Sequence, residues 1–232
     1  MIASHPFQFF LWAIYPYLML GSFVFGTIIR FAFFHPTVTA KSSELLEKKT
    51  LMVGSIMFHV GIIGVFFGHI IGVLIPKAWT DALGISDEFY HHIIAMPAGA
   101  FFGILATVGV YILCFRRFHD HRVFHASSTG DLVVIVALTA EITLGMLSSF
   151  VAGPINPDFN YRTSLAIWVR QIFMFHPDFR LMLQVPLMFK FHVIFGFMIF
   201  GAFPYTRLVH ALALPWQYVY RRFIVYRRRP QI

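Results

Sequence analysis

Cysteine is nearly absent: Cys114 is the single one in 232 residues. One thiol cannot close a disulfide within the chain, cannot ligate an iron–sulfur cluster by itself, and makes no CxxCH for covalent c-type haem. Charge is scarce as well. Asp, Glu, Lys and Arg make up 12% of the residues, against roughly 25% in soluble globular domains. With 58% hydrophobic residues, 29 of the chain's residues phenylalanine and a mean hydropathy of +0.73, a water-soluble fold is excluded and an all-α integral membrane protein is expected. Acidic residues are the rarer sign, ten against eighteen Lys and Arg, for a net charge of +8. Such an excess can mark a nucleic-acid partner, but these basic residues sit mostly at the ends of apolar runs, the footprint of membrane topology. No nucleic acid is expected. Also missing are the basic n-region and A-x-A site of a cleavable signal, an inverted internal repeat of the transporter kind, and any low-complexity segment.

Five apolar runs reach the about 20 residues that a helix needs to cross a bilayer: roughly 8–30, 51–75, 93–115, 131–152 and 186–212. The chain, 1–232, therefore reads as a single membrane domain. A link at 153–185 is too polar to span and too long for a bare turn; its "LAIWVRQIFMF" suggests a short interfacial helix. A basic tail, 213–232, closes the chain. One set of connecting segments, with the tail, collects thirteen of the Lys and Arg, and the other set only five. The positive-inside rule then puts the N-terminus outside and the C-terminus in the cytoplasm, with 153–185 on the outer side. Arg221 to Arg229 most simply meet anionic lipid headgroups, with docking of a partner subunit as the functional alternative.

Twelve histidines are present, and most lie in or beside polar segments where a solvated ring is ordinary. Four do not: His59 and His69 in "FHVGIIGVFFGH", and His192 and His210 in the fifth run. An imidazole in hydrocarbon must find a partner. For any one of them a hydrogen bond to a neighbouring helix is enough. Two pairs on two helices suggest more, because a b-type haem between helices takes one axial histidine from each side. Antiparallel helices match His59 with His210 toward the inside and His69 with His192 toward the outside. The spacings fit poorly on straight helices: 10 residues rise about 15 Å and 18 residues about 27 Å. A kink at Pro204, helix tilt and side-chain lean are expected to absorb the difference. Gly54, Gly61 and Gly68 recur every seven residues and Gly64, Gly68 and Gly72 every four, suiting either close helix packing or the approach of a macrocycle. Arg30, Arg117 and Arg207 on the inner side, and Lys190 on the outer, are candidates for haem propionates or for snorkelling flanks. Glu141, near mid-membrane, is either hydrogen-bonded structure or part of a proton path, and the structural role is preferred.

The segments "FHVGIIGVFFGH", "KFHVIFGF", "FPYTRLVHALALPWQY" and "IYPYLMLGSFVFGTIIR" together resemble the gamma subunit of membrane-bound respiratory nitrate reductase. "AMPAGA" and "STGD", at the starts of the third and fourth runs, add to the likeness, which extends from Tyr15 to Tyr218. The resemblance implies a five-span dihaem cytochrome b in a bacterial or archaeal cytoplasmic (inner) membrane, with two haem b between helices 2 and 5. His59 and His210 would ligate the inner haem, and His69 and His192 the outer one. Menaquinol or ubiquinol from the quinone pool would be oxidised beside the outer haem, its protons leaving outward. Electrons would pass inward to an iron–sulfur beta subunit and a molybdenum alpha subunit, where nitrate is reduced; no nitrate chemistry lies in this chain. Gly68 and His69 would complete the quinol site, with the region around Arg30 and Phe31 a further candidate. Where the family commonly has a lysine at the start of the third span, this chain has His91 or His92, and His91 aligns better counting back from Ala95 and Met96. Histidine can donate to a quinone carbonyl and take a quinol proton near neutral pH. A cytochrome b anchor of another quinone-linked enzyme, or a histidine-dependent transporter, would share the apolar runs; the transporter lacks its matched halves here.

Overall fold

The computed structural model describes residues 5–34, 37–38 and 43–213. They are helical almost throughout, with no strand among the described residues. Five helices are long and apolar enough to cross a membrane: Pro6–Phe33, Lys49–Leu74, Asp87–His119, Thr129–Ile155 and Leu187–Tyr205, numbered here spans 1 to 5. The expected basic tail lies, from residue 214 on, outside the described residues.

Spans 1 to 4 each carry one π-helical turn, at Phe10–Ile14, Ile70–Leu74, Tyr90–Ala95 and Ser148–Ala152. Each turn ends two residues before a proline: Pro16, Pro76, Pro97 and Pro154. Proline has no N–H and within a helix its ring crowds the carbonyl four residues back, so at Pro16, Pro97 and Pro154 the ladder widens just ahead of it; Pro76 instead lies in extended backbone just past span 2. At Pro16 a tertiary contact uses the change. The carbonyl of Trp12, four residues earlier, accepts the indole N–H of Trp168 at 2.8 Å.

Span 2 packs on span 3, span 3 on span 4, span 4 on span 5, and span 5 on span 1. The first of these contacts is the tightest. A Cβ on Gly61 would strike the backbone of Ala106, and one on Gly109 the backbone of Phe58. Gly54, Gly61 and Gly64 thus serve helix packing, as small residues do in bilayers; Gly68, by contrast, has nothing within 4 Å of where its Cβ would stand. Span 2 is not packed on span 5 as closely as these pairs are; it meets span 5 and the turn after it through histidine rings.

Each end of the bundle is tied by a buried arginine. At one end Arg116, 4% exposed, donates to Glu47 Oε2 at 2.7 Å, Ser43 Oγ at 3.0 Å, and the carbonyls of Ser43 at 3.1 Å and Glu47 at 2.6 Å. The Glu47 carboxylate also accepts the amides of Thr50 and Leu51 at the start of span 2. The Thr50 amide first, and then Arg116, pull its pKa down to about 2. At the other end Arg162 donates to Asp87 Oδ1 at 2.6 Å and Thr80 Oγ1 at 2.9 Å, and stacks on Tyr90 at 4.2 Å. Beside it, burial pushes the Tyr161 phenol up to about 12.

The link after span 4 contains the expected helix, Leu165–Phe173, but its apolar face does not look to lipid. Leu165, Ala166, Trp168 and Ile172 are buried, packed with Trp12, Phe179, Met182 and Val185. Arg170 Nη1 donates to the Val73 carbonyl at 2.7 Å, closing the last turn of span 2. Protein, not bilayer, covers this face because spans 1 and 5 bring Trp12 and Phe197 beneath it.

Span 5 also departs from expectation. It is not one kinked helix over 186–212. The α-helix Leu187–Ala202 gives way to a 3-10 turn, Phe203–Tyr205; Thr206 is extended (φ −116°, ψ 177°), and a second 3-10 turn runs Arg207–Leu212. Pro204 starts the break and span 1 holds it. Arg30 Nη1 donates to the Pro204 carbonyl at 2.6 Å, and Ser22 Oγ to the Gly201 carbonyl at 2.8 Å.

Candidate functional site

The four histidines from the apolar runs come together as two pairs. His59 faces His210 with ring centroids 6.4 Å apart and planes at 68°. His69 faces His192 at 5.9 Å and 46°. The break at Thr206 lies between His192 and His210, so His210 does not follow the helical register of His192 and the 18-residue spacing is not that of one straight helix. His69 and His192 lie toward the Trp12 end, and His59 and His210 toward the Arg116 end.

Three of the rings are oriented alike. His59 Nδ1 is 2.7 Å from the Ser55 carbonyl, His69 Nδ1 is 2.8 Å from that of Val65, and His210 Nδ1 is 2.5 Å from that of Arg207. A carbonyl can only accept, so each Nδ1 carries a proton, and Nε2 is the nitrogen that a metal would take. His192 differs. Its Nδ1 lies 2.9 Å from Glu141 Oε1, off the line of an ordinary hydrogen bond, with no other partner.

This arrangement fits a group ligated from two sides. Metal–nitrogen bonds of roughly 2 Å, with about 1 Å from each Nε2 to its ring centre, put two axial imidazole centroids about 6 Å apart. Nδ1–H donation to a carbonyl is the usual second shell of a metal-bound histidine, fixing its tautomer. Among the described residues, no three histidine, cysteine or carboxylate groups converge as a ligand set for a lone metal ion. Haem b therefore suits the residues: it needs one histidine from each side and no third protein ligand.

The flanking cations are engaged with protein. Besides Pro204, Arg30 donates to the Thr37 carbonyl at 3.0 Å, and Lys190 donates to that of Leu183 at 2.9 Å. Arg207 Nη1 is 3.2 Å from Asp131 Oδ1, while Arg117 donates to Ser127 Oγ at 2.7 Å and lies 4.0 Å from Asp131 Oδ2. Asp131 is held in turn by the capping box with Ser128 that starts span 4, the "STGD" of the sequence. Arg207, whose carbonyl receives His210, is thereby moored to span 4.

His91 is half-buried on the π turn that opens span 3, edge-on to His92 at 5.0 Å and 86°. No hydrogen bond or ring contact among the described residues joins it to His69. Tyr90, next to it, is buried, and the Tyr161 hydroxyl comes within 3.5 Å of where a Cβ on Gly72 would stand. Sequence reasoning did not single out Tyr161, Arg162 or Gly145. Gly145 carried a signal: it follows Glu141 by four residues and so shares its helix face.

Residues 8–229 match the family model described as the nitrate reductase gamma subunit. The chain is 43% identical to the nitrate reductase gamma chain of Bacillus subtilis (strain 168) over 222 residues, covering 94% of this chain and 97% of that one. It is 34% identical to the respiratory nitrate reductase 2 gamma chain of Escherichia coli (strain K12), over 95% and 96%. It is also 35% identical to the nitrate reductase-like protein NarX of Mycobacterium tuberculosis (strain ATCC 25618 / H37Rv), covering 95% of this chain but 34% of that longer protein.

Proposed function

Because the chain belongs to the nitrate reductase gamma subunit family, and is in that sense a multi-pass subunit of an oxidoreductase complex, we propose that it is a dihaem cytochrome b that oxidises quinol near the outer membrane face and passes the electrons inward. The observation that carries this is the pairing of His69 with His192 between spans 2 and 5, and of His59 in span 2 with His210 in the turn that follows span 5. Bound haem b supplies one-electron transfer between quinol and the partner subunits.

His59 and His210 would hold the inner haem, and His69 and His192 the outer one. Carbonyls of Ser55, Val65 and Arg207 fix three of these rings with Nε2 available. The positive-inside count supports an outer N-terminus and a cytoplasmic C-terminus. Electrons leave at the Arg116 end, toward an iron–sulfur beta subunit and a molybdenum alpha subunit that reduces nitrate. The setting is a bacterial or archaeal inner membrane. Arg30, Arg117 and Arg207 on the inner side and Lys190 on the outer are the candidates for propionates, and each is already engaged with protein.

Quinol, menaquinol or ubiquinol, binds beside His69, where the bare Cα of Gly68 opens space. With Nδ1 of His69 committed to the Val65 carbonyl, Nε2 is the nitrogen that would be left for haem, and a ring so held would have none to take a quinol proton. His91 can, and it stands at the outer start of span 3. A positioned base contributes about 100-fold or more, so His91→Ala is expected to lower quinol-dependent haem reduction by about two orders of magnitude, with both haem spectra in place. Unchanged turnover removes His91 from the site, and the same change at His92 decides between the two.

The direct test is a reduced-minus-oxidised visible spectrum of the purified chain with a pyridine haemochrome assay. Two low-spin b haems per chain are expected. A folded chain without haem overturns the proposal.

A further inference from the structure

We propose that Glu141 is a positioning residue for His192: its carboxylate, reaching across from span 4, takes the Nδ1 proton side of that ring and sets the potential of the haem it ligates. This rests on the two-haem reading above.

His192 is the exception among the four rings. The other three turn Nδ1 to a carbonyl three or four residues earlier on their own chain, a neutral acceptor built into the helix. His192 Nδ1 is buried with no such partner, and Glu141 Oε1 is 2.9 Å away. Glu141 Oε2 is likewise buried and unpartnered. A buried polar atom without a partner is costly in a bilayer-spanning bundle, and for His192 Nδ1 the Glu141 carboxylate, through Oε1, is the polar group at hand.

The backbone is shaped around this pair from both sides. On span 4, Gly145 lies one turn after Glu141, and a Cβ there would press on His192 Cε1 at 3.0 Å. On span 5, Gly196 lies one turn after His192, and a Cβ there would press on Glu141 Oε1 at 3.0 Å. Each partner sits opposite a glycine on the facing helix. Spans 4 and 5 can therefore close until ring and carboxylate meet.

A carboxylate differs from a carbonyl in charge. It draws the Nδ1 proton more strongly, makes the imidazole a better electron donor to its metal, and favours the more positive oxidation state beside it. The outer pair alone has this neighbour, so the effect separates the outer haem from the inner one and favours inward electron flow.

The test is potentiometric titration of both haems, with low-temperature EPR, on membranes carrying the whole complex. The wild type is read first: lack of two haems there overturns the parent reading. Glu141→Gln keeps shape and an acceptor oxygen but removes the charge. Both haems are expected to stay bound, with the outer potential raised by at least a tenfold change in its reduction equilibrium, about 59 mV for one electron, and the inner potential unmoved. Glu141→Leu removes the acceptor too, and the low-spin EPR signal of the outer haem is expected to shift as the ring loses its orientation. Normal wild-type haems together with an unshifted outer potential in Glu141→Gln, or equal shifts of both haems, overturn the role of Glu141 and leave the two-haem reading intact.

Discussion

Changing His69 or His192 to alanine is expected to remove the outer haem and quinol oxidation together, while the inner haem stays. Haem content should fall from two per chain to one. The two rings face each other at 5.9 Å, and under the proposed function each would give one nitrogen to the haem between them. Neither His59 nor His210 can substitute, since both already serve the inner pair. Loss of an outer-shell partner alone costs a metal site roughly 10- to 100-fold, so loss of a ligand should lower quinol-dependent reduction of the inner haem by more than about 100-fold. Nitrate reduction driven by an artificial donor that feeds the partner subunits directly should persist. A variant retaining two haems and full quinol turnover would falsify the assignment.

The second large effect is on stability, at Trp168. The ring is fully buried, edge-on to Trp12 at 5.8 Å and to Phe197 at 6.1 Å, and its N–H holds the carbonyl freed by Pro16. Trp168→Ala is expected to cost about 3–5 kcal/mol, the range for emptying a buried aromatic site. It also unpairs a backbone carbonyl that no water can reach. Trp168→Phe keeps most of the packing and loses the hydrogen bond, about 0.5–1.5 kcal/mol. Thermal unfolding of the detergent-solubilised chain should rank wild type above Phe above Ala. Equal midpoints for all three would mean that the 153–185 link does not stabilise the bundle.

The residues differ in how far sequence alone could carry them. His59, His69, His192 and His210 stood out because polar rings are rare in apolar runs, and antiparallel order was enough to pair them. Gly54 and Gly61 were ambiguous, since a bare Cα serves a macrocycle or a neighbouring helix equally well. The backbone of Ala106 against Gly61 decides for the helix. His91 remains a sequence inference, for the fold places it at the right end of span 3 without contact to His69. For Arg30 the helix-end position suits a haem propionate or a snorkelling flank, and the fold adds a hydrogen bond to the Pro204 carbonyl that its position in the sequence did not foretell.

Chain composition by itself determined the five spans and the four intramembrane imidazoles. Apolar length and rare polar rings in lipid are properties of a single segment, and they survive whatever the segment packs against. Three things were decided only in the folded bundle: the break of span 5 at Thr206, the inward turn of the Leu165–Phe173 face, and the meeting of Glu141 with His192. Each depends on a partner more than 50 residues away in the chain, and no local pattern records which partner arrives.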